Sequence, residues 1–74
     1  MEEFTIDFRV NDETLYTATA IAYGENGFYV QTTFRKEYIF PSKSDPDRTI
    51  WKTNEGVTDD WIQAAGEAIE AYHQ

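Results

Sequence analysis

His73 is the one side chain in this 74-residue sequence whose ordinary pKa suits proton transfer near neutrality, and no cysteine accompanies it. A general base must be held within hydrogen-bond reach of its substrate. Next to the last residue, where chain ends are commonly poorly ordered, an exposed histidine without a catalytic role is the expectation. Ser42 and Ser44 lie in a proline-flanked stretch, so no Ser-His-Asp or Cys-His constellation is expected. Carboxylates are plentiful, but paired-acid chemistry needs two of them at a set separation across a cleft, and so short a chain offers little cleft. Asp45 and Asp47, with Ser42 and Ser44, suggest at most a weak site for a hard cation, since the glycine and distal glutamate of an EF-hand loop are missing. Gly24, Gly27, Gly56 and Gly66 fit no phosphate-cradling pattern. No catalytic residue, cofactor or metal is therefore expected.

Charge is the second chemical feature. The net charge is −8, yet Arg35, Lys36, Lys43, Arg48 and Lys52 lie close together, leaving residues 35–52 at +2 and the remainder at −10. Basic residues interleave with Phe34, Tyr38, Phe40 and Trp51, a composition that can stack bases. A field this negative repels phosphate, however, so nucleic acid is not an expected partner. Asp59, Asp60, Glu67 and Glu70 fall in the last segment with no Lys or Arg among them. They form a candidate acidic face for a basic partner. Glu67 and Glu70 sit where acids oppose a helix dipole, so helix stability does not explain them.

These groups must be positioned by strands and one helix. Phe4, Ile6, Phe8 and Val10 alternate with Thr5, Asp7 and Arg9, the period-two pattern of a half-buried strand over about residues 3–10. Asn11-Asp12-Glu13 reads as a turn, and a second strand runs over 14–23. Asn26-Gly27 signals a hairpin because both residues tolerate positive φ, with a third strand over 28–34. That two-residue turn pairs Tyr23 with Val30 and puts Phe28, Val30, Phe34, Ile21 and Tyr23 on one face. The other face carries Tyr16, Ala18, Ala20, Ala22, Tyr29, Gln31 and Thr33. Arg35-Lys36 reads as the next turn, followed by a strand over 37–40. Pro41 and Pro46 end that ladder, with Asp45-Pro46 in a type I turn, before a short strand over 49–52. The helix spans 58–73, with Thr58 as N-cap, Asp59 and Asp60 in the first turn, and Val57 and Ile62 spaced as a staple. Trp61, Ala65, Ala68, Ile69 and Tyr72 share one side. Gly66 costs about 1 kcal/mol against alanine in a helix, so it predicts a close neighbour.

The fold class is α+β: a four- to five-stranded antiparallel β-meander followed by one C-terminal α-helix packed on one sheet face, in a single domain over 1–74. The expected core is Phe4, Ile6, Phe8, Ile21, Val30, Phe34, Ile39, Trp61, Ile62, Ala65 and Ile69. A chain of this size without disulfides needs close packing or a second copy of itself. No leader, membrane-spanning run or N-x-Ser/Thr site is read, so a cytoplasmic protein is expected. The leading functional expectation is a non-enzymatic protein–protein interaction module that forms a homodimer. Tyr16, Tyr29, Tyr38 and Trp51 are its candidate contact residues, since Tyr and Trp are favoured interface anchors. The alternative is an acidic decoy that occupies a basic site on a partner such as a nucleic-acid enzyme.

Overall fold

A computed structural model describes residues 2–42 and 47–73. They form strands β1 (Glu3–Val10), β2 (Thr14–Tyr23), β3 (Gly27–Gln31), β4 (Lys36–Ser42) and β5 (Ile50–Thr53), and helix α1 (Asp60–Tyr72). The five-stranded sheet runs in the order β1-β2-β3-β4-β5, and every neighbouring pair is antiparallel. This is the expected α+β meander closed by its C-terminal helix.

The alternation in β1 is kept: Phe4, Ile6 and Phe8 are buried between exposed Glu3, Thr5, Asp7 and Arg9. The chain reverses at Asn11 and Asp12, both left-handed with φ of 55° and 59°, a conformation these two side chains tolerate well. Register then places Phe4 opposite Ala20, Ile6 opposite Ala18 and Phe8 opposite Tyr16. Even-numbered residues of both strands therefore share the face that receives α1.

The second hairpin departs from the expected register. Tyr23 pairs with Gly27 and Ala20 with Val30, so three residues, Gly24-Glu25-Asn26, form the connection, and the positive φ (79°) falls at Gly24. A shift by an odd number of residues moves a whole strand's side chains to the other face. Val30 and Phe28 thereby join Phe4, Ile6 and Phe8, while Ile21 and Tyr23 turn outward. Ile21 is not a core residue for that reason.

The next turn is also displaced. The Thr32 amide donates to the Arg35 carbonyl at 2.7 Å, and Thr32 Oγ1 accepts from the amides of Phe34 and Arg35. Thr33 and Phe34 occupy the tip, and Phe34 is 97% exposed. It belongs to a turn, and Lys36 to β4. Pro41 does not end the ladder but pairs with Trp51 within it. The pairing of β3 with β4 extends only to Phe28–Ile39, so at Pro41 a missing amide leaves no strand on that side unbonded. The expected Asp45-Pro46 turn lies outside the described residues.

Asp59, not Thr58, caps the helix. Its backbone is extended and its carboxylate accepts from the Ile62 amide at 2.8 Å, which satisfies one of the orphan donors of the first turn. With Asp59 as the cap, the residue before it is Thr58 and not Val57, which is exposed, so the expected staple spacing is lost. The helix buries Trp61, Ile62, Ala65, Gly66 and Ile69 against Phe4, Ile6, Phe8, Ala18, Ala20, Val30, Ile39 and Trp51. Its strand contacts are chiefly with β1, then β5 and β4. Its far end is tied down: Tyr72 stacks on Phe4 at 4.0 Å between ring centroids. His73 is held rather than loose, its Nδ1 3.0 Å from the Ile69 carbonyl and its Nε2 3.3 Å from Glu2. No helix among the described residues is long and apolar enough to cross a membrane.

Candidate functional site

Because even-numbered residues of β1–β3 are committed to the helix, the odd-numbered ones make up the opposite face, which α1 leaves uncovered. Ile21, Tyr29 and Tyr38 lie side by side across β2, β3 and β4. Tyr23 completes a cluster in which its ring is 5.3 Å from Tyr29 and 6.2 Å from Tyr38, while Tyr29 and Tyr38 are 5.0 Å apart. All three contacts are edge-on, the arrangement in which ring quadrupoles attract. The Tyr38 hydroxyl donates to the Tyr23 carbonyl at 3.1 Å, and its ring lies over Gly27, where no side chain would fit beneath it. Lys36 Nζ sits 5.3 Å from the centre of the Tyr29 ring, a cation–π distance.

The borders of this face differ in sign. On one side β1 presents Glu3 and Asp7, together with Arg9, and Asp7 accepts a hydrogen bond from Thr17 Oγ1 at 2.8 Å. On the other side β4 and β5 present Lys36 and Lys52, with Phe40 opposite Lys52. What the arrangement can do chemically is bury aromatic surface against another surface while matching charge at its rim.

The candidate contact residues are split by the sheet. Tyr29 and Tyr38 come together on the outer face. Tyr16 turns to the helix side, stacked on Phe8 at 5.6 Å and 6.4 Å from Trp61. Trp51 is 3% exposed and donates its indole N–H to Glu70 at 2.6 Å, so it is core and not a contact residue. Tyr23 and Lys36 are the members that sequence reading did not name. The parity of the second hairpin is the signal that decides them, and a three-residue turn obscured it.

The acidic residues do not make one free face either. Asp59 caps the helix and accepts from Arg35 Nη2 at 2.9 Å. Glu67 pairs with Arg48 at 2.7 Å and accepts from Gln63. Glu70 holds the Trp51 indole. These intrachain bonds answer why Glu67 and Glu70 sit at the unfavourable end of the dipole. Asp60 is exposed in the first turn, where the dipole favours it. Among the described residues no group of three or more His, Asp or Glu side chains is placed to hold a metal ion. Asp45 and Ser44 of the suggested cation site lie outside them.

Arg35 organises this end of the molecule. Its guanidinium lies 4.4 Å from the Trp61 ring centre and bonds Glu37 as well as Asp59, both at 2.9 Å. Burial alone would lower its pKa, but the hydrogen bonds and charges of Asp59 and Glu37 outweigh that and raise it above the ordinary guanidinium value. Burial alone would likewise raise Asp59. The Arg35 bond, the Ile62 and Trp61 amides and the Arg35 charge outweigh it and hold Asp59 below the usual 3.8.

A carboxylate depressed in the folded state stabilises above its unfolded pKa and loses that contribution as pH falls through the lower folded value. Asp59→Ala is therefore expected to cost about 1 kcal/mol near neutrality, the usual loss of an N-cap. The gap to the parent should close as pH drops below about 4. Urea melts at neutral and acid pH measure both quantities; an equal gap at both would sever the cap from its charge.

Comparison with protein-family models, with curated proteins and with solved structures finds no match to this chain.

Proposed function

We propose that this chain is a non-enzymatic protein–protein interaction module that self-associates through the outer face of its sheet. The observation that carries the proposal is the Tyr23–Tyr29–Tyr38 cluster, which lies on the sheet face opposite the helix with Ile21 beside it. Aromatic residues gathered on a sheet face that no other element among the described residues covers are the usual anchors of a protein interface. The charge pattern supports a second copy as the occupant. A two-fold axis parallel to the strands lays β1 of one copy over β4 and β5 of the other, bringing Glu3 and Asp7 toward Lys36 and Lys52. The same patch then serves both partners, as a two-fold interface requires. A cytoplasmic setting is part of the proposal and rests on composition alone. The acidic-decoy reading keeps the net charge of −8 and the exposed Asp60 as support, since Asp59, Glu67 and Glu70 are bonded within the chain.

Sedimentation equilibrium tests this. The parent is expected to dimerise at micromolar concentration. Tyr23→Ser should weaken the dimer about tenfold, equivalent to ~1.4 kcal/mol. Lys36→Glu with Lys52→Glu should weaken it further and reverse its salt dependence, because both borders are then acidic. A parent that stays monomeric at high micromolar concentration refutes the proposal.

A further inference from the structure

A second surface lies along β2. That strand spans Thr14–Tyr23, but β3 pairs with it only from Thr19 to Tyr23. Over Thr14–Ala18 it has β1 on one side and, among the described residues, no strand on the other. The protein's terminal strands carry charge, Glu3, Asp7 and Arg9 on β1 and Lys52 on β5. Charge, proline and distortion are the common devices that blunt an exposed edge. Thr14-Leu15-Tyr16-Thr17-Ala18 contains no charged residue, no proline and no glycine.

Two hollows meet at this edge, one reaching round it to Tyr16 and Trp61 on the helix side and one on the outer face. The helix-side hollow, about 470 Å³, is lined by Leu15, Tyr16, Phe34, Arg35 and Trp61 among others. The outer hollow, about 590 Å³, is lined by Glu3, Thr5, Thr19 and Gln31 among others. Both include Thr17, Thr32 and Thr33, so they meet at the open edge. Leu15, 55% exposed, and Phe34, 97% exposed, stand beside the first of them.

We propose that the open edge of β2 accepts an extended cationic segment of another protein as an added strand, with alternate residues apolar and polar. Successive side chains of a strand point to opposite faces. One set would therefore enter the hollow of Leu15, Tyr16, Phe34 and Trp61, and the other the polar hollow beside Glu3. Main-chain hydrogen bonds along the edge supply affinity and the two hollows supply the pattern, as in other strand-addition sites. Five residues of edge, about 16 Å, suit a segment of similar length.

Charge decides the occupant. The one charged side chain lining the polar hollow is Glu3, and the chain carries −8. Arg35, in the apolar hollow, is already bonded to Glu37 and Asp59 and makes no demand for an acid. Lysine or arginine at the polar positions is therefore matched. A second copy would bring another −8 to an edge that lacks the lysine border of the outer face.

The test uses the full chain and a peptide of about six residues alternating lysine and valine, against a block peptide of the same composition. Titration is followed by calorimetry and by amide shifts and hydrogen exchange. The alternating peptide is expected to slow exchange within Thr14–Ala18, shift the Trp61 indole and bind at least about tenfold more tightly than the block peptide. Methylating the peptide's backbone nitrogens on one edge should abolish binding, while methylating those on the other should not. Phe34→Ser, at an exposed turn, should weaken binding without altering the fold. The two surfaces share Glu3 and Ile21, so Lys36→Glu with Lys52→Glu, which weakens self-association, should bind the peptide at least as tightly as the parent does. Equal binding of both peptides, or indifference to methylation on either edge, overturns the proposal. Concentration-dependent protection of Thr14–Ala18 without peptide in that double variant, whose outer face no longer associates, also overturns it, by making the occupant of the edge a second copy.

Discussion

Gly66→Ala is expected to destabilise the fold by about 2–3 kcal/mol, although alanine is the better helix former by about 1 kcal/mol. Gly66 is buried in the helix face that rests on β5, and a methyl group built there falls inside the van der Waals envelope of the Trp51 ring. The obstacle is the near edge of a rigid indole, which is 3% exposed and fixed by its hydrogen bond to Glu70. It cannot swing aside as the far end of a flexible chain would. Either the helix lifts from the sheet, loosening Ile62, Ala65 and Ile69, or Trp51 leaves its rotamer. Urea melts of the variant measure the loss. In a Trp51→Ala background the same change should become neutral or favourable, because the clash is removed and the helix propensity remains. A Gly66→Ala protein as stable as the parent would show that helix and sheet do not meet this closely.

Ile39→Ala is expected to cost about 3–4 kcal/mol, within the range for truncating a fully buried aliphatic residue. Ile39 has no exposed surface and stands on an interior strand, β4, opposite Phe28 on one side and Thr53 on the other. Its neighbours are held by two ladders and a helix, so the space it leaves cannot easily collapse. A domain of this size has about 4–11 kcal/mol of stability in total, and the variant should be partly unfolded at modest urea concentration. Phe34→Ala provides the contrast. Phe34 is the larger side chain, but at a turn tip and almost wholly solvated it should change stability by no more than about 0.5 kcal/mol. The pair separates burial from hydrophobicity: comparable losses at both positions would contradict the placement of the turn at Thr33 and Phe34.

The outward position of Phe34 shows where sequence reasoning runs out. Its place at the end of an apolar, β-branched run reads as strand, and the turn that expels it depends on Thr32 Oγ1 bonding two amides further along. The tyrosine cluster was half visible for a related reason. Residue type alone selects Tyr29 and Tyr38 as candidate contacts, but the expected two-residue turn puts Tyr23 with Phe28 and Val30, and nothing in the spacing of Trp51 announces that it is 3% exposed. Strand periodicity fixes which residues of one strand share a face, but not which faces of two strands coincide. That is set by the connection between them, and a three-residue turn in place of a two-residue one reverses the answer.

By itself the chain determined the order of elements, the single helix with its apolar side, the buried alternation of β1 and the absence of cysteine chemistry. These are local properties, decided by side-chain period, turn residues and composition. Only the tertiary structure decided that Phe28 and Val30 lie with Phe4 rather than with Ile21. It likewise decided that Glu67 and Glu70 serve Arg48 and Trp51, and that β2 outruns β3 to leave an open edge. Each of these depends on residues distant in sequence being brought to one place, and no spacing along the chain encodes that distance.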